Sequence, residues 1–145
     1  YGPHPGMGDS IAAAVKATAS ANGWLILPAD LPLVQPQTLK TLALQLLSAD
    51  AGDGVLQVIQ PFYQAADQAI NQAQDGLKGH PVAFSRAAAK ALMQLSGDQG
   101  ASAIVRKAAE NQQLKRWECD DIGCVLDVDT VQALEQARKI WQERQ

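Results

Sequence analysis

Apolar residues recur three and four positions apart in several stretches of the chain, which is the spacing of one face of an α-helix. This pattern predicts helices over residues 9–22, from Pro36 onward, 85–95, 100–111 and 130–143, and more weakly over 62–76. We expect Asp9 or Ser10 to cap the first helix, and Gly97 to end the helix over 85–95. The expected buried side of the last helix consists of Val131, Leu134, Ala137 and Trp141.

Short apolar runs lie between these helices and predict the strands of a sheet. The predicted strands cover residues 24–27, 55–59, 79–84, 114–118 and 123–127. We expect the strand at 24–27 to be buried on both faces and the strand at 123–127 to be buried as well. Because strands and helices alternate, the expected fold is α/β, with a largely parallel sheet in a three-layer α/β/α arrangement. Ligands of such sheets bind beyond the carboxyl ends of the strands.

Composition narrows the class of protein. The chain has 145 residues, 47% hydrophobic and 19% charged, which fits a single folded domain over residues 1–145 and excludes a disordered chain. A net charge of -3 without a basic run argues against nucleic acid as the main partner. No run approaches the ~20 apolar residues of a membrane span, so we expect a soluble protein with no membrane partner. Two cysteines and no secretory signal favour a cytoplasmic location.

Aspartates follow two of the predicted buried strands. Asp30 lies between Pro28 and Pro32, whose rings restrict the backbone around it, and Asp127 and Asp129 follow the last strand. Mg²⁺ is commonly held by one or two carboxylates together with substrate phosphates, so these aspartates are candidate Mg²⁺ ligands. The structural alternatives are that Asp30 solvates a turn, that Asp129 caps the last helix and that Asp127 is a solvated strand end.

Three further segments are candidates for ligand contact. Residues 6–10 read Gly-Met-Gly-Asp-Ser before a helix, where glycines let a ligand approach the backbone, although such a stretch is usually a turn. His80 stands at the entry to a strand, where a surface histidine is the ordinary interpretation. The loop at 97–100 matters for function only if it faces the ligand site. Cys119 and Cys124 are treated as ordinary cysteines, because a zinc site usually needs four ligands and the sequence shows no other two.

Five motifs occur in the order seen in MobA-like nucleotidyltransferases, and the chain resembles the molybdenum cofactor cytidylyltransferases within that family. The motifs are Gly6-Met7-Gly8-Asp9-Ser10, Leu27-Pro28-Ala29-Asp30-Leu31-Pro32, Gly79-His80-Pro81-Val82, Gly97-Asp98-Gln99-Gly100-Ala101 and Leu126-Asp127-Val128-Asp129-Thr130. The resemblance implies a Rossmann-like nucleotidyltransferase sheet. It also implies Mg²⁺-dependent transfer of CMP, or another nucleoside monophosphate, from a nucleoside triphosphate such as CTP to a phosphorylated acceptor such as molybdopterin, with release of pyrophosphate.

The resemblance also implies roles for individual residues. Asp30 and His80 would be the catalytic residues, with Asp30 the first Mg²⁺ ligand and either Asp127 or Asp129 the second. The nucleoside would be contacted by Gly6, Met7, Gly8 and Ser10. The acceptor side would be lined by His80, Gly97 and Asp98.

The chain departs from the family pattern at two places. Family members begin with a strand and a glycine-rich loop that carries Arg and Lys, and the first residues here show no such loop, so we expect an N-terminally truncated sheet that by itself is inactive. Many relatives also carry Arg where this chain has Ser102. The alternative function is a non-catalytic module that binds a partner or assembles as a homo-oligomer through an exposed sheet edge.

Overall fold

The computed structural model describes residues 6–48, 54–64 and 76–145. The helices are α1 Met7–Ala17, α2 Pro36–Ser48, α3 Ala89–Met93, α4 Ser102–Glu110 and α5 Val131–Glu143. The strands are β1 Gly23–Ile26, β2 Val58–Tyr63, β3 Leu77–Lys78, β4 Val82–Ser85 and β5 Leu114–Cys119. Two 3₁₀ helices cover Arg86–Ala88 and Ile122–Cys124.

The five strands form one mixed sheet around β2. On one side β5 runs parallel to β2, from the pair Val58 and Leu114 to the pair Tyr63 and Cys119. On the other side β4 and β3 run antiparallel to successive parts of β2, and β1 pairs antiparallel with the far edge of β4. Strands β1, β2 and β5 therefore share one direction, as predicted. The expectation of a largely parallel sheet is wrong for β3 and β4, because the chain returns along β2 instead of crossing over.

Helices cover both faces of this sheet, which confirms the predicted three-layer α/β fold. One core cluster packs α1, α3 and α4 against the face that carries Val58 and Phe84. A second cluster packs Leu42 and Leu46 of α2 against the opposite face, which carries Ile59. Neighbouring residues of β2 thus point into different cores, as the pleat of a strand requires. No helix in the described part of the chain is long and apolar enough to cross a membrane.

The predicted buried strand at 123–127 is wrong. Residues Ile122–Cys124 form a 3₁₀ helix, which Asp121 caps by accepting a hydrogen bond from the Gly123 amide at 2.9 Å. Asp121 is itself buried, and it also accepts hydrogen bonds from the Gln35 amide at 2.9 Å and the Thr38 hydroxyl at 2.6 Å. These bonds hold the segment in a turn, so that Cys124 is buried without belonging to the sheet.

Three other elements differ from their sequence patterns. Strand β2 begins at Val58 and continues to Tyr63, past the predicted end at Ile59. The weak helix predicted over 62–76 therefore starts inside β2. Residues 65–75 of that predicted helix lie outside the described chain. Strand β1 is half-buried rather than buried, since it pairs with β4 on one side only among the described residues.

Helix α5 packs on a different side from the predicted one. Ala137 is buried as expected, but Val131, Leu134 and Trp141 are 71%, 39% and 56% exposed. The end of the helix is fixed by Arg144, whose guanidinium donates to the Leu33 carbonyl at 2.9 Å. The packed side of α5 is therefore the one that carries Ala137 and leads to Arg144.

Candidate functional site

A cleft of about 610 Å³ lies on one face of the sheet, between α1 and α4. It extends to the end of β1, where Ile26 and Pro28 line it. Most of its wall is apolar, with Ile11, Val82 and Phe84 among the lining residues. Five polar side chains interrupt this wall and are the groups that could recognise a ligand: Gln60, Lys78, His80, Ser102 and Arg106.

His80, one of the two predicted catalytic residues, lines the cleft. Its backbone amide donates to the Cys124 carbonyl at 2.9 Å, which fixes the start of β4 against the 3₁₀ helix. Its Nδ1 is buried and has no hydrogen-bond partner among the described residues. Burial lowers the pKa of His80 below its ordinary value of 6.5, and the negative charge of Asp30 opposes that shift in part. The imidazole is therefore neutral at neutral pH.

Gln60 is a second buried polar group in the same cleft. Its side chain is only 6% exposed; its Nε2 donates to the Gly79 carbonyl at 3.5 Å, and its Oε1 has no partner within the described chain. The sequence pattern did not reveal this residue, because the predicted strand ended one position earlier, at Ile59. The signal that could have found it is a glutamine inside the apolar run 58–63, where an unpaired amide oxygen is costly.

Two cations line the cleft, and neither was predicted from the sequence. Lys78 comes from β3, and Arg106 comes from α4, one helical turn after Ser102. Both side chains belong to exposed residues, so they are available to an anion. Ser102 stands where the family pattern carries Arg, and Arg106 lies one turn further along the same helix.

The three candidate metal ligands lie on neighbouring segments. The Val128 amide donates to the Asp30 carbonyl at 2.7 Å, so the segment of Asp127 and Asp129 runs beside Asp30, and all three aspartates are exposed. Asp129 is not the cap of α5, since the Thr130 hydroxyl accepts the hydrogen bond from Ala133 at 3.0 Å. No group of three or more His, Cys, Asp or Glu that could hold a metal is present in residues 6–48, 54–64 and 76–145.

The glycine-rich segment before α1 packs against the predicted loop at 97–100. The Gly8 amide donates to the Gly97 carbonyl at 2.9 Å. A Cβ at Gly6 would lie 2.2 Å from the Gly97 oxygen, and one at Gly8 would lie 2.3 Å from the Gln99 oxygen. This close approach explains why both positions are glycine, and it makes the two predicted segments one unit beside the cleft.

The remaining site predictions divide between the cleft and the surface around it. Met7 lines the cleft, next to Gly100. Asp98 is exposed, and its carboxylate lies against Gly6. Ser10 is exposed on α1, outside the cleft lining. The N-cap residue of the first helix is Gly6 rather than Asp9 or Ser10, but Asp9 does contribute to the cap, because its carboxylate accepts a hydrogen bond from the Gly6 amide at 3.0 Å.

The structure is a three-layer α/β domain with a cleft on one face of its sheet. The family model of the MobA-like NTP transferase domain matches residues 2–116. The chain therefore belongs to the MobA-like NTP transferase domain family, a family of nucleotidyltransferase type. No curated protein was found to match the chain.

Two solved structures share the fold. One is the Rv0371c homologue from Mycobacterium sp. strain JC1, with a TM-score of 0.66, 20% identity and a match over 94% of this chain. The other is Rv0371c from Mycobacterium tuberculosis, with a TM-score of 0.59, 25% identity and a match over 88% of this chain. In both cases the chain spans 59% of the length of the matched structure.

Proposed function

We propose that this domain takes part in the transfer of a nucleoside monophosphate, CMP in the first instance, from CTP to a phosphorylated acceptor of the molybdopterin type, with release of pyrophosphate. The observation that carries the proposal is the cleft beside Asp30, where two buried polar atoms and two cations face a largely apolar wall. That combination suits a flat polar heterocycle that bears a phosphate group.

Each group in the cleft has a role in binding such an acceptor. The unpaired Oε1 of Gln60 accepts a hydrogen bond from a ring N–H or amino group, and neutral His80 completes the contact with the ring. Lys78 and Arg106 bind the acceptor phosphate, and the planar guanidinium of Arg106 is able to bind two of its oxygens at once. Together these contacts would hold the acceptor phosphate in line with the α-phosphorus of the nucleotide, which is most of what phosphoryl transfer requires.

We propose that the domain works with Mg²⁺, held by Asp30 and by either Asp127 or Asp129. The donor set fits the ion, because Mg²⁺ is usually bound by one or two carboxylates plus phosphates and does not need a cluster of three protein ligands. When bound, the ion would neutralise charge on the α-phosphate and on the leaving pyrophosphate. The hydrogen bond from Val128 to Asp30 keeps the two aspartate segments side by side.

The transfer reaction is proposed for a protein of the length of the matched structures, of which the chain spans 59%. Such a protein supplies a triphosphate-binding segment outside residues 1–145, whereas residues 1–145 contribute the acceptor cleft and the aspartates. Cytoplasmic location is part of the same proposal, since the substrates are soluble phosphates.

The acceptor cleft is tested by isothermal titration calorimetry with a phosphorylated pterin. Arg106→Ala removes a charged hydrogen-bond donor worth about 1.5–3 kcal/mol, so the dissociation constant should rise by about tenfold or more. The matched control is Lys115→Ala, which removes an exposed cation on β5 that lies outside the cleft lining. Equal weakening by the two variants, or no effect of Arg106→Ala, would refute the cleft assignment.

The metal proposal is tested separately, in a protein that includes the triphosphate-binding segment. CTP should bind more tightly with Mg²⁺ than without it, and Asp30→Asn should remove that difference. Equal CTP affinity with and without the Asp30 carboxylate would show that Asp30 is not a metal ligand. Pyrophosphate release in the presence of acceptor then separates an enzyme from a domain that only binds.

A non-catalytic assembly module is the second candidate function. The observation in its favour is β1, which pairs only with β4 among the described residues and so leaves its outer edge open to another strand. Light scattering at increasing protein concentration tests this candidate. A mass that rises with concentration supports strand pairing between copies, and a strict monomer argues against it.

A further inference from the structure

The only two cysteines of the sequence lie next to each other in the fold. Cys119 is the last residue of β5, and Cys124 is the last residue of the 3₁₀ helix that follows it. Their Sγ atoms are 3.7 Å apart, and both thiols are free. The described residues place no further ligands around the pair that would make it a metal site.

The two thiols differ in ways that suit the two steps of disulfide formation. Cys119 keeps 8% of its surface exposed, whereas Cys124 is fully buried. The hydrogen bond between the two thiols lowers the pKa of Cys119, and the Asp121 amide, which donates to the Cys119 sulfur at 3.3 Å, lowers it as well, while burial opposes the shift in part. The hydrogen bond between the thiols, together with burial, raises the pKa of Cys124. Thiolate character and access to solvent are therefore concentrated on Cys119.

We propose that Cys119 and Cys124 are a redox-active dithiol, which hydrogen peroxide converts to an intramolecular disulfide. In the first step the Cys119 sulfur attacks the peroxide, the O–O bond breaks, and a sulfenic acid and one water form. In the second step the Cys124 sulfur attacks the sulfenic sulfur, and a second water leaves. The thiols lose two electrons and two protons, and one peroxide is reduced to two waters.

The geometry requires only a local movement. The sulfurs must approach from 3.7 Å to the bond length of about 2.05 Å. The residues between the cysteines form the cap and the 3₁₀ helix, so the closed loop is short and its ends are already in contact.

Cys124 also contacts the backbone of His80, which lines the cleft. The Cys124 carbonyl accepts the hydrogen bond from the His80 amide at 2.9 Å, and a Cβ at Gly79 would lie 3.0 Å from the Cys124 Cβ. A change in the position of Cys124 is therefore transmitted to the backbone of His80. Oxidation should shift the amide resonance of His80 in nuclear magnetic resonance spectra.

The test is oxidation of the folded protein with hydrogen peroxide, followed by unfolding, alkylation and intact mass measurement. The oxidised protein should lose two hydrogen atoms and take up no alkyl group, and treatment with dithiothreitol should restore two alkylation sites. Because the chain has no other cysteine, an intramolecular disulfide must join these two residues. Two alkyl groups after peroxide, or a disulfide that forms only in unfolded protein, would overturn the proposal.

Two matched variants assign the order of the steps. Cys124→Ser should leave a sulfenic acid on Cys119 that a dimedone probe captures, whereas Cys119→Ser should leave Cys124 unreactive. Equal dimedone labelling of both variants would contradict the assigned order. If a variant fails to fold, the mass measurement on the unaltered chain still decides the proposal, and none of these measurements depends on nucleotide transfer.

Discussion

Replacing Gly8 with alanine tests the contact between the segment before α1 and the loop at 97–100. Gly8 lies in the first turn of α1, where alanine is ordinarily the better helix former by up to about 1 kcal/mol. Here the new Cβ would lie 2.3 Å from the Gln99 oxygen and 2.8 Å from the Ser96 oxygen. Both are backbone atoms, so the loop or the helix has to move.

Two effects determine how much the free energy of unfolding should fall. Overpacking of this kind costs about 1–3 kcal/mol. Moving the loop away also weakens the Gly8 to Gly97 hydrogen bond, which is worth about 1 kcal/mol. After subtraction of the helix-propensity gain, Gly8→Ala should lower the free energy of unfolding by about 1–3 kcal/mol. For a domain of this size that corresponds to a fall in Tm of about 3–10 °C.

Gly100→Ala is the matched control for this experiment. A Cβ at Gly100 would meet only the Met7 side chain, with Sδ at 2.9 Å, and a flexible thioether can move aside. Urea unfolding followed by circular dichroism should therefore show a clear loss for Gly8→Ala and little change for Gly100→Ala. Unchanged stability of Gly8→Ala, or equal losses in both variants, would refute the close approach of the two segments.

Further variants test two buried groups, the Asp121 carboxylate and the His80 imidazole. Asp121→Ala removes a buried carboxylate that accepts hydrogen bonds from several donors, so the free energy of unfolding measured in urea should fall by about 3–5 kcal/mol. Asp120→Ala, at the exposed neighbour, should change it by less than about 0.5 kcal/mol. Similar losses in the two variants would argue against the buried cap. The pKa of His80 is lower in the folded chain than its ordinary value of 6.5. Between these two pKa values the unfolded chain binds more protons than the folded chain, so the free energy of unfolding should fall as the pH falls. His80→Gln should remove that part of the pH dependence. Asp30→Asn removes a negative charge and should lower the pKa of His80 further in an NMR titration. A pKa of His80 at or above 6.5 in the unaltered protein would contradict the burial of its imidazole.

The sequence predicted those elements whose local pattern agrees with their packing. Helices α1, α2 and α4 and strands β1 and β5 overlap the segments predicted for them, because each contributes apolar side chains to a core cluster. Helix α1 ends at Ala17, however, five residues before the predicted end at Asn22. The prediction failed at 123–127, where an apolar run suggested a strand. There Asp121 accepts hydrogen bonds from Gln35, which directly precedes α2, and from Thr38 in the first turn of α2, and such long-range partners leave no local trace in the sequence.

Helix α5 shows a second limit of pattern analysis. The predicted buried side consists of Val131, Leu134, Ala137 and Trp141, but only Ala137 of these is buried. Arg144, two turns after Ala137, donates to the Leu33 carbonyl and pairs with Asp121, and these contacts hold the side of Ala137 toward the protein. A hydrogen-bonding contact at one end of a helix thus decides which side packs, and hydrophobicity alone cannot reveal it.

The candidate site was predictable only in part, for a related reason. Asp30 lies between Pro28 and Pro32 and His80 directly precedes Pro81, so both stand in distinctive motifs, and the negative charge of Asp30 raises the pKa of His80 against the effect of burial. Gln60, Lys78 and Arg106 come from three different elements and carry no motif, so only the folded chain brings them together. An amide oxygen buried without a partner costs about 1–3 kcal/mol. Gln60 therefore lowers the stability of the chain as long as its Oε1 is unpaired, and a ligand with a matching N–H donor would remove that loss. Gln60 is for this reason the most informative position for the chemistry of the proposed acceptor.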